Sequence, residues 1–221
     1  MKSQDILLLL KLLSLDRQQQ GLSIEFKQPA FQWQQPAPPL LMQERAPYLI
    51  SPVIAQPPLA IADVAGQYSV RALAQATGIS KSEVSQSLQR CYEARLARPD
   101  RKSGVPRAWP DALAEFILHG IRYVFPVKPA EITRGLPTAW AAPIMQGVLA
   151  GATDLIPVWP DATAEQSGQA VMPLFKSAAF AAKADPTLYA LLALTDSIRI
   201  GLARERGLAS NMLEKLLLEV E

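Results

Sequence analysis

Between Ser69 and Arg90 the chain reads Ser69-Val70-Arg71-Ala72-Leu73-Ala74-Gln75-Ala76-Thr77-Gly78-Ile79-Ser80-Lys81-Ser82-Glu83-Val84-Ser85-Gln86-Ser87-Leu88-Gln89-Arg90. The spacing predicts two helices. The first buries Val70, Leu73 and Ala74, and the small Ala74 lets a second helix approach closely. Gly78 supplies the positive φ that a tight helix–helix turn needs, and Ile79 plugs that turn into the core. Ser80 then caps the second helix, and Glu83 at its third position predicts a reciprocal capping box. Val84, Leu88 and Cys91 recur at i, i+4 and i+7 as one buried stripe. The outer face is left with Lys81, Ser82, Ser85, Gln86, Gln89 and Arg90, polar and without an acid.

Those residue types suit a nucleic acid. Ser, Gln and Arg pair with base edges in the major groove, and Lys and Arg also hold phosphates. The surrounding charge agrees. Residues 67–109 hold eight basic side chains (Arg71, Lys81, Arg90, Arg95, Arg98, Arg101, Lys102, Arg107) against the acids Glu83, Glu93 and Asp100. The whole chain is only +2, so the remainder is slightly acidic. Such an asymmetry is the electrostatic footprint of a nucleic-acid-binding module.

Leu73-Ala74, Thr77-Gly78-Ile79-Ser80, Val84-Ser85 and Leu88 together resemble the winged helix-turn-helix of bacterial transcriptional regulators of the MarR and GntR type. The resemblance implies that helix 80–97 enters the major groove of double-stranded DNA. It implies that Ala94–Arg98 leads into a wing, Pro99–Arg107, with Arg101, Lys102, Ser103, Gly104 and Arg107 at its tip and return. The expected DNA contacts are Arg71, Lys81, Ser82, Ser85, Gln86, Gln89, Arg90, Arg101, Lys102 and Arg107. Residues 3–16 look like the family's first helix. The departure is the connection after it, normally short and here residues 18–66. Either that segment loops out while Ile6–Leu15 packs on the domain, or the first helix serves a dimer partner.

Four regions separate by composition: 1–17, 18–66, 67–109 and 110–221. In the first, Ile6–Leu15 is the most apolar segment. It is too short to span a bilayer, which needs about 20 residues. Asp5 before it and Lys11 within it argue against a signal peptide, so it reads as a buried helix capped by Ser3 or Asp5, in a cytoplasmic protein. Residues 18–66 are rich in Gln and Pro. Eight of the 19 prolines fall between Pro29 and Pro58, which excludes a long helix or central strand. Phe26, Phe31, Trp33, Tyr48, Leu49 and Ile50 suggest that this extended segment packs on a surface in places.

Residues 110–221 predict a helix over Asp111–Tyr123, then strands at Leu155–Trp159 and Ala170–Phe175 joined as a β-hairpin with a long loop. Asp185-Pro186 is a helix start, with Asp as N-cap and Pro at the first helical position. That helix runs to about Ile200, and a last helix runs from about Arg204 to Glu219. Their leucines (Leu188, Leu191, Leu192, Ile198, Leu213, Leu216, Leu217) offer more apolar surface than one thin layer needs, which suggests a homodimer. The repeat of Trp109-Pro110-Asp111-Ala112 at Trp159-Pro160-Asp161-Ala162 extends only to a shared Ala-Glu and reads as turn chemistry. The fold class expected is mostly α with a small β component: a winged helix-turn-helix followed by a C-terminal α+β region.

Catalytic patterns are absent. There is no Walker A sequence and no GxGxxG loop, and one Cys and one His exclude Cys-based zinc sites and His-rich centres. Cys91 lies on the apolar stripe and His119 stands alone. No cofactor, metal or enzyme activity is expected. Arg122, Phe125, Arg134, Trp140 and Trp159 read as packing rather than as a pocket. The expected function is sequence-specific transcriptional regulation, most simply repression. The rival is a protein-interaction module acting through residues 110–221, such as an antitoxin or adaptor in a toxin–antitoxin or phage-defence operon. An RNA-binding protein is a third class.

Overall fold

The structure, a computed structural model, describes residues 1–24, 26, 65–146 and 155–218. In chain order its helices and strands are α1 (Ser3–Gln19), α2 (Val70–Thr77), α3 (Lys81–Glu93), β1 (Ala97–Pro99) and β2 (Pro106–Ala108). Then come α4 (Pro110–Glu115), a π-helical turn (Phe116–Gly120), α5 (Ile121–Val124) and β3 (Ile132–Pro137). Last are β4 (Pro157–Pro160), β5 (Ser167–Ala170), α6 (Ala178–Lys183), α7 (Pro186–Ile200) and α8 (Ala203–Leu218). The chain is mostly helical with a small sheet component.

Two helices are buried on every side. In α1 each residue from Gln4 to Leu15 is buried, and in α7 each from Thr187 to Ile198. A helix apolar all round belongs in a core. α1 lies between α3 and β2 on one side and α7 on another, so one contiguous cluster runs from Ile6 to Leu217. Ile6–Leu15 therefore packs within its own chain. α7 starts as expected, with Asp185 accepting the Leu188 N–H and Pro186 at the first helical position. Phe26 meets the Tyr189 ring edge-on at 6.0 Å. Phe31, Trp33, Tyr48, Leu49 and Ile50 lie outside the described residues.

The leucines that suggested a dimer face inward instead. Leu188, Leu191, Leu192, Ile198, Leu213 and Leu217 are buried within the chain, because α1 and α8 cover α7. The side chains of Arg199 and Asp196 pair inside the chain, 4% and 1% exposed. Asp196 accepts from Arg199 at 2.6 Å, from Trp159 Nε1 at 2.6 Å and from Thr138 at 3.0 Å.

The expected β-hairpin is replaced by a triangle of strands. β3 pairs antiparallel with β5 through Ile132–Arg134 and with β4 through Gly135–Pro137. β4 and β5 meet in parallel, Pro157 beside Gln169 and Val158 beside Ala170. Two glycines allow this crowding. A Cβ on Gly135 would lie 2.1 Å from the Trp159 carbonyl oxygen, and one on Gly168 would lie 2.1 Å from that of Ile156. The second strand ends at Ala170 rather than Phe175, short of Pro173, which has no N–H to donate.

Lys11 breaks the apolar run of α1. Its ammonium donates to Asp185 at 2.7 Å, and Ser14 donates to the same oxygen at 2.6 Å. Removing one partner of a buried pair leaves the other charge uncompensated. Asp185→Ala also removes the α7 cap, so it is expected to cost about 3–5 kcal/mol in urea unfolding. The Lys11→Met/Asp185→Ser double variant recovers part of that. A loss in Asp185→Ala no larger than that of an exposed site would show that the pair is solvated.

Candidate nucleic-acid interface

The segment from α2 to β2 is built from local rules. Ser69 caps α2 by accepting the Ala72 N–H. Gly78 ends it with φ 68° and returns its N–H to the Ala74 carbonyl. Ser80 accepts the Glu83 N–H and starts α3. Val84, Leu88 and Cys91 take the buried side as expected, joined by Ser87. Burial pushes the Cys91 thiol up to about 12, which keeps it protonated and inert.

Two local expectations change. The capping box is only half formed: Glu83 turns to Arg90 at 2.8 Å and Lys2 at 3.1 Å, not to its own cap. The helix expected over 80–97 ends at Glu93. The Leu96 N–H returns to the Cys91 carbonyl and the Arg95 N–H to that of Tyr92, a Schellman ending with Arg95 at φ 57°.

Lys81, Ser82, Ser85, Gln86 and Gln89 are exposed along α3, and Arg71 is exposed in the first turn of α2. The α3 face ends in a carboxylate: Gln89 donates to Glu93 at 3.0 Å. β1 and β2 then form a short antiparallel ribbon, Arg98 opposite Arg107. Its turn is closed by Asp100, which accepts from the Ser103 N–H and hydroxyl and from the Lys102 N–H. These donors hold its carboxyl down to about 2. Arg101 and Lys102 are exposed on that turn.

Two expected contacts face inward. Arg90 donates to Asp5 at 2.6 and 2.9 Å and ties α3 to α1. Arg107 pairs with Asp16, donates to Gln19 and lies over the Tyr68 ring at 4.7 Å. Sequence spacing missed both, because the partners lie far upstream. It also left out Arg95 and Arg98, both exposed; Arg98 stacks over Trp109 at 4.9 Å. Their charge was legible, but not their position at the ribbon's base.

Burial acts differently on the two carboxylates. At Asp5 burial lifts the pKa, but hydrogen bonds from Arg90, the Lys2 N–H and Ser87 outweigh it and the carboxyl is held below its usual range. At Asp16 burial prevails over Tyr68 and Arg107, and the carboxyl is raised.

The other sequence candidates do not converge. Trp159 is buried against Asp196, Arg122 lies over Tyr123, and Arg134 is exposed on β3. His119 is exposed at the edge of a shallow groove lined by Leu96, Ala112, Glu115 and Phe116. Among the described residues no cluster of His, Cys, Asp and Glu is able to hold a metal ion, and no helix is long and apolar enough to cross a membrane. No family model, curated protein or solved structure matches the chain.

The depressed Asp5 pKa has a definite sign. A carboxyl whose folded pKa is below its unfolded value, about 3.9, adds stability above that value and loses it as pH falls through the folded one. Wild-type stability should therefore drop more steeply below about pH 4 than that of Asp5→Asn, read as urea midpoints across a pH series. Parallel curves would mean that Arg90 does not hold Asp5 ionised.

Proposed function

We propose that the protein is a cytoplasmic, sequence-specific DNA-binding transcriptional regulator, and a repressor rather than an enzyme. α3 enters the major groove N-terminus first, and the β1–β2 ribbon acts as a wing on the adjoining backbone. One observation carries the reading: Lys81, Ser82, Ser85, Gln86 and Gln89 are exposed together on one helix. The opposite side of that helix is anchored to α1, and Asp5 holds Arg90 there. A rigid helix offering donors and acceptors is what base-edge recognition needs. Arg71, Arg95, Arg98, Arg101 and Lys102 are the remaining exposed cations of the unit and supply its phosphate contacts. Arg90 and Arg107 position the frame instead. With the α7 leucines and with Leu213 and Leu217 of α8 buried, the reading needs no dimer, and light scattering decides whether one or two copies bind.

The second reading, a protein-interaction module, draws on the exposed Tyr123, Val124, Ile132 and Met172 in the C-terminal half. It predicts that changes on α3 leave partner capture intact.

The test is selection from a randomised duplex pool, followed by anisotropy with the selected and a scrambled duplex. Gln86→Ala should weaken the selected duplex by about 1–3 kcal/mol if it pairs with a base, leave the scrambled one unchanged and leave the fold intact. Arg101→Ala with Lys102→Ala should weaken both duplexes and lower the salt slope by about 1.8, at about 0.9 per phosphate. No sequence enriched from the pool would remove specific reading, and tighter binding to single strands would favour RNA.

A further inference from the structure

α6 is held against the turn between α2 and α3. Ser177 Oγ donates to the Thr77 carbonyl at 2.6 Å. Gly78 passes so close beneath it that a Cβ there would lie 2.8 Å from the Ser177 Cβ and 3.5 Å from the Phe180 ring. With φ at 68°, any larger residue would be strained and would also push α6 away. The buried side of α6 is Ala178, Ala181 and Ala182. Its outer side presents Lys176, just before the helix, and Phe180, a residue 59% exposed. Thr77 and Gly78 lead through Ile79 into Ser80, so the start of α6 and Phe180 lie against the turn that delivers α3.

A helix is about 10–12 Å across and the major groove about 12 Å wide, so phosphate backbones must pass close on either flank of a helix seated there. α6 packs on α2 and on the turn that leads into the α3 N-terminus. We propose that Lys176 and Phe180 belong to the DNA-binding face: the duplex continues past Gly78 onto α6, where Lys176 meets a backbone phosphate and Phe180 covers the apolar edge of a neighbouring sugar or thymine methyl. The inference rests on the reading of α3 as the groove helix and adds the C-terminal unit to its footprint. An ammonium that meets a phosphate neutralises it and releases its counterions. A phenyl ring on a surface otherwise made of Ser, Lys and Gln recovers apolar contact only when something covers it.

The test uses the full chain and a fluorescein-labelled mixed-sequence duplex of two helical turns, titrated by anisotropy across a salt series. Lys176→Ala is expected to lower the slope of log affinity against log salt by about 0.9, the release of one phosphate's counterions. Phe180→Ser is expected to weaken binding severalfold with its melting midpoint unchanged. Should that midpoint fall, Phe180→Trp carries the comparison. It keeps the ring over Gly78 and should retain affinity, whereas Phe180→Gln should lose it. An unchanged slope in Lys176→Ala, or unchanged affinity in every Phe180 variant, overturns the extension. In that case Lys81→Ala still weakens binding if α3 alone meets the DNA. A wild-type protein that does not bind the duplex removes both readings.

Discussion

The fold depends on how a charge is placed inside an apolar helix. Lys11 lies in the middle of α1, and its ammonium has a buried carboxylate partner in Asp185. That carboxylate also accepts from Ser14 and caps α7 through the Leu188 N–H. The apolar side chains around it are interchangeable in chemistry, so α1 has many ways to lie against α7 by burial alone. The ion pair leaves one register and one rotation. Burying the two charges is itself costly, so the pair adds little net stability beyond the cap and acts chiefly by excluding arrangements that would leave either charge unpaired.

With α1 placed, the basic unit follows. Asp5 and Asp16, a few turns apart on α1, take Arg90 and Arg107. Two of the cations expected on the nucleic-acid face become struts beneath it. This lowers the charge the face presents but stiffens it, because the guanidinium of Arg90 joins α1 and the start of α3 through Asp5 and Glu83. The proposed interface is thus weaker electrostatically and better ordered than residue counting implies, a balance that favours sequence discrimination over general attraction.

What was legible in the sequence is what short-range rules decide. Gly78 and Ser80 set helix ends, and Asp185-Pro186 the start of α7, because caps and left-handed turns are settled within four residues. The stripe of Val84, Leu88 and Cys91 needed only helical spacing. What was not legible depends on distant partners. Arg90 looked like a free cation because Asp5 is 85 positions away. The leucines of α7 looked surplus because the helix that covers them stands at the other end of the chain. β3 went unseen because Thr133-Arg134-Gly135 has no strand pattern. It is a strand because Gly135 and Gly168 admit neighbours that any side chain would exclude. The packing of α6 on the turn before α3 could not be reached from spacing at all, since Ser177 and Thr77 are a hundred residues apart.

The placing of α1 also has a consequence in time. Lys11 and Asp185 are separated by 174 positions. At about 5–20 residues per second, a ribosome needs about 9–35 s to make the second after the first. Throughout that interval the most apolar segment of the protein is finished but lacks the helix that encloses it. Long-range closure of this kind slows folding and leaves sticky surface open to other chains. Burial of the early helix is thus complete only once the last two helices have appeared.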